Sequence, residues 1–158
     1  MDIKSPFLGD KESSLRVVRI AVIATIVASL PIILQVDTIL HSLRWYLWDG
    51  LIVFALGLAG YAGRNNGGLL SGWLAVFLAA LWLYVVPPLV AYLQGDSFGE
   101  RNYHVLRPSV VGMDPYSELM FGLKYGPILA LLVALIAGTT AFVLGKGSHR
   151  LFPPNSGA

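Results

Sequence analysis

The chain contains no cysteine, and that absence removes disulfides, thiolate metal ligands, iron–sulfur clusters and covalently attached haem together. It leaves the redox compartment open. Charge is the second scarcity. Asp, Glu, Lys and Arg make up 13% of the 158 residues, against roughly 25% in an average soluble domain. A soluble domain of this length exposes more surface than so few charged side chains can cover. A soluble globule is excluded, and a disordered tail protein with it. What fills the space is hydrocarbon: 56% of the residues are hydrophobic and the mean hydropathy is +0.68. The expectation is an all-α integral membrane protein.

Four stretches approach the 20 or so apolar residues that cross a bilayer core. They run over about 17–36, 45–63, 69–93 and 121–144. The first has the length of an anchor rather than of a signal-peptide core, and acids Asp2, Asp10 and Glu12 precede it. It is read as a retained helix. Arg64-Asn65-Asn66-Gly67-Gly68 joins spans two and three, and Asn/Gly pairs supply the positive φ of a tight turn. Residues 35–44 are expected as a first loop, with Asp37 capping a short interfacial turn. The long outer loop is 94–120, and inside it Asp114-Pro115 reads as a helix N-cap followed by the first helical residue. The architecture expected is a compact four-helix transmembrane bundle, up-down-up-down. Residues 1–16 form a cytoplasmic segment before it and 145–158 a cytoplasmic tail after it.

Orientation follows the basic residues near the span ends. Lys4, Lys11, Arg16, Arg19, Arg64, Lys146 and Arg150 share the side of both termini, while Arg44, Arg101, Arg107 and Lys124 lie on the other. Both termini are therefore expected in the cytoplasm of a multi-pass cell-membrane protein. Trp45, Tyr46 and Trp48 are expected as an aromatic belt at the outer interface.

Lipid is as apolar as leucine, so membrane helices associate through close approach of small residues. Span two offers Ala55, Ala59 and Gly63; span three offers Gly72 and Ala75. Span four offers Ala130, Ala134 and Gly138 beside Ala137, Ala141 and Gly145, two rows on different faces, one of which is expected to meet a partner outside the chain. Pro31, Pro87, Pro88 and Pro127 each remove an amide donor and free a carbonyl four residues back. Thr25, Ser29 and Tyr84 are the candidate donors for repair. Thr139 and Thr140 are expected to bond back to their own helix.

Chemistry is sparse. A proton or ion path needs ionisable groups near the midplane, and the spans carry none there. Asp49, near the start of span two, is expected as a first-turn carboxylate favoured by the helix dipole, with an ion- or substrate-contacting role as the alternative. His104 and Arg107 in the outer loop, with Asp114, Glu118, Asp37 and His41, are the raw material of a metal or acid/base site, but form no H-x-x-x-H or H-E-x-x-H signature. Gly145-Lys146-Gly147 lacks the upstream glycine of a P-loop. No catalytic, cofactor-binding or metal-ligating residue is assigned, and no cofactor is expected. Nucleic acid is excluded as a partner, for want of a basic groove. The functional expectation is a non-catalytic subunit packing with another membrane protein or with itself. A small oligomeric transporter or channel is one alternative, and a membrane enzyme with its site in the outer loops is another.

Overall fold

Two aspartates start helices. The Asp10 carboxylate accepts from the Ser13 N–H at 3.0 Å, and the Asp114 carboxylate from the Ser117 N–H at 2.8 Å, each satisfying a donor the first turn leaves unpaired. The computed structural model describes residues 7–34, 37–95 and 114–151, with the side chains of 37–46 and 149–151 outside that description. Within it the chain is helical: α1 (Lys11–Ile33), α2 (Asp37–Arg64), α3 (Leu69–Gln94), α4 (Pro115–Val133) and α5 (Thr139–Leu151), with a π turn (Ala134–Gly138) linking the last two. α1, α3 and the continuous rod Pro115–Ser148 are long and apolar enough to cross a membrane.

The expected first loop is largely absent. α2 begins at Asp37, and its 28 residues rise about 42 Å at 1.5 Å each. Nothing between Asp37 and Trp45 is Gly or Pro, so no residue there breaks the helix. α1 likewise starts at Lys11, well before its apolar run, because Asp10 caps it.

Successive helices alternate in direction. The start of α1 (Val17, Ala21) packs with the end of α2 (Leu58, Ala62), the start of α3 (Ala75) and α5 (Phe142). The end of α1 (Ala28, Ile32) packs with Trp48, Leu51 and Ala55 of α2, and with Ala79 and Trp82 of α3. α3 touches every other element. Its apolar window is 44% buried, against 22% for α1 and for the last rod, so α3 is the central helix. α2 packs along α5 and reaches the π turn, with no comparable packing on α4 among the described residues.

At the α2–α3 turn the positive φ falls on Asn66, at 54°. The two glycines that follow have a different use. The segment Phe7–Asp10 crosses them as a strap: Gly9 bridges Gly67, Asp10 N–H donates to Asn66 O at 2.8 Å and Leu70 N–H to Phe7 O at 3.1 Å. A Cβ on Gly68 would collide with the Leu8 carbonyl. Ser14 locks the crossing, accepting from Gly68 N–H and donating to Leu8 O.

Candidate functional site

The last helix carries a row at strict four-residue spacing: Glu118, Gly122, Gly126, Ala130, Ala134, Gly138 and Phe142. All seven are buried. On a helix of 3.6 residues per turn such a row drifts by about 40° per step. The π turn at Ala134–Gly138, with its wider repeat, counters that drift where the row passes Trp73 and Val76 of α3. Gly138 meets the Trp73 ring and the Val76 side chain, and the Trp73 indole N–H donates to Thr139 Oγ1 at 2.8 Å. Thr139 thus serves a neighbouring helix, contrary to expectation. Thr140 bonds back to Ile136 O at 2.9 Å.

Gly122 sits against α3 one turn before Pro88, which lies within the continuous helix. Proline at 88 has no N–H for the Tyr84 carbonyl four residues back, and that carbonyl lies so close to α4 that a Cβ on Gly122 would collide with it. Gly126 meets the Tyr84 side chain in the same way. One turn above the two glycines Glu118 is only 3% exposed. It is the most buried acid among the described residues, and sequence reasoning left it among the loop acids. Its position one step before Gly122 in the four-residue row was the available signal.

On the other side of α3, Trp48 and Trp82 lie with ring centroids 4.8 Å apart. Trp82 N–H donates to Ser29 Oγ at 2.7 Å, and Ser29 donates to Thr25 O at 2.8 Å. Thr25 donates to Val22 O. Neither hydroxyl reaches the Val27 carbonyl that Pro31 frees. The Trp48 indole N–H is buried without an acceptor among the described residues. Trp48 is 6% exposed and so leaves the expected aromatic belt for the core: it shares one helix face with Leu51, Ala55, Leu58 and Ala62 at three- and four-residue steps.

No family model, curated protein or solved structure matches this chain. Its geometry therefore carries the functional argument alone.

Of the residues singled out for packing, Ala55, Ala59, Gly63, Gly72, Ala75, Ala130, Ala134 and Gly138 are all buried. Gly72 faces Ala59. Ala141 and Gly145 of the second row pack inside the chain: Gly60 of α2 lies against both, and Gly63 against Phe142, backbone to backbone. His104 and Arg107 lie outside the described residues, as do the side chains of Asp37, His41, Trp45 and Tyr46. Among the described residues no group of three His, Asp or Glu could hold a metal ion.

Asp49 differs most from expectation. It is twelve residues beyond the start of α2 at Asp37, and dipole stabilisation fades within the first turn, so the first-turn role is lost. Its side chain points outward, on a face with Gly50, Val53, Phe54 and Gly57, all exposed. An added Cβ on Gly50 or Gly57 would meet nothing.

Proposed function

We propose that this chain is a multi-pass membrane protein of four transmembrane helices, with both termini in the cytoplasm. It acts as a non-catalytic subunit that packs, through the outward face of α2, against a helix of another membrane protein or of a second copy. The outward face of α2 carries the reading. Gly50 and Gly57 stand seven residues apart with open space over both, and small residues are what let a second backbone approach in lipid. Asp49 beside them is exposed on an otherwise apolar surface. A carboxylate there favours a protein neighbour or interfacial water over acyl chains. By contrast α1 and the last rod expose large aliphatic side chains, Ile23, Ile26, Val27, Ile128, Leu131 and Ile136 among them, as lipid contact requires.

The test is extraction in mild detergent followed by mass determination. The proposal expects a species heavier than one chain, lost in Gly57→Leu and weakened in Asp49→Asn, while both variants melt as the wild type does. A stable single chain under conditions that preserve the fold contradicts it. A homo-oligomer that conducts ions or solutes would instead favour the channel alternative.

A further inference from the structure

A groove of about 440 Å³ opens between the first turns of α1 and α3, beneath the Phe7–Asp10 strap. Leu15 and Val18 of α1 and Leu70 and Leu74 of α3 line it, with Lys11 and Leu8 at the end where both helices begin. Leu15, Leu70 and Leu74 are exposed, so the groove is open to the side. Its hydroxyls are already committed, Ser14 to Leu8 O and Ser71 to Gly68 O at 2.7 Å. Lys11 is different: it makes no hydrogen bond or ion pair among the described residues. The order along the groove is thus a free ammonium, then hydrocarbon one and two turns further on.

We infer that the groove holds one anionic phospholipid, with its phosphate on Lys11 and an acyl chain along Leu15, Val18 and Leu74. The inference rests on the membrane reading above, which puts this end at the cytoplasmic surface, where basic residues attract anionic headgroups. Charge complementarity selects the occupant. An anionic amphiphile presents charge and then hydrocarbon in the same order as the groove, whereas a soluble anion would leave the leucine walls bare. A partner helix would leave Lys11 with no counter-charge unless it supplied an acid at that turn.

The experiment reconstitutes the full chain in equimolar phosphatidylglycerol and phosphatidylcholine vesicles, then releases it gently and weighs the retained lipids by native mass spectrometry. The wild type retains one phosphatidylglycerol in preference to phosphatidylcholine. Lys11→Gln lowers that preference roughly fivefold, the effect of one basic group near an anionic surface. Leu74→Trp, which fills the groove, removes retention of either lipid. Lys146→Gln, at the same end but outside the groove, changes nothing. Unchanged preference in Lys11→Gln, unchanged retention in Leu74→Trp, or an equal loss in Lys146→Gln each overturns the site, the last by tracing the effect to diffuse surface charge. Alkaline washing of the same vesicles separates the two levels of the argument. A chain that stays in the bilayer without lipid preference refutes the groove alone, and a chain that washes off refutes the membrane reading as well.

Discussion

At the scale of single residues, the two tryptophans of the core differ in one bond. Trp82 spends its N–H on Ser29, and Trp48 has no acceptor among the described residues. Interhelical hydrogen bonds between membrane helices average about 0.6 kcal/mol by double-mutant cycles, so Ser29→Ala should lower stability by about that amount. Trp48→Phe should behave in the opposite sense. It keeps an aromatic ring against Trp82 and deletes a buried donor that nothing satisfies, so its melting temperature in detergent should equal or exceed that of the wild type. A clear drop would reveal an acceptor for Trp48. Asp114 adds a pH dependence. Its hydrogen bonds to the Ser117 side chain and N–H hold its carboxyl below the ordinary carboxylate value. A depressed folded value means that the stabilisation is complete above the unfolded pKa, about 3.9, and is lost as pH falls through the lower folded one. The gap in melting temperature between wild type and Asp114→Asn should hold steady above about pH 5 and shrink in more acid solution.

Among the elements, the contact between α3 and α4 depends on glycine where the Tyr84 backbone of α3 lies against α4. Gly122→Leu forces the two helices apart at Tyr84 and should disrupt the fold, whereas Leu123→Ala, at an exposed neighbour, should be nearly neutral. Equal melting temperatures for the two variants would remove the close-approach argument. How far the sequence discloses such contacts depends on the kind of helix. Apolar runs were legible because length and hydropathy define them, and Asp114-Pro115 was legible because capping is local chemistry. Which face of each helix turns inward was harder to read. Helices apolar all round have no polar stripe to mark the outside, so Trp48 was expected at the outer interface although it lies in the core. The α2 start was misplaced for a related reason: polarity ended the apolar run at Trp45, but polarity does not end a helix. Glu118 and the Gly122/Gly126 pair were overlooked because their four-residue row begins before the apolar run does.

For the whole molecule, helices that alternate in direction match the alternating crossings of the proposed membrane topology. The strap, the α2–α3 turn, Trp73 and Thr139 tie together the end that holds most of the basic residues. Tyr92 and Tyr116, with ring centroids 5.8 Å apart, join α3 and α4 at the other. The His104 and Arg107 candidates lie in the connection between those two tyrosines, outside the described residues. The most direct measurement places single cysteines in this cysteine-free chain at Ser5, Asn65 and Asp96 and labels intact cells with an impermeant thiol reagent. Four spans with cytoplasmic termini predict labelling of Asp96→Cys alone, with Ser5→Cys and Asn65→Cys reacting only after the membrane is opened. Labelling of Ser5→Cys or Asn65→Cys from outside, with Asp96→Cys silent, would contradict the account.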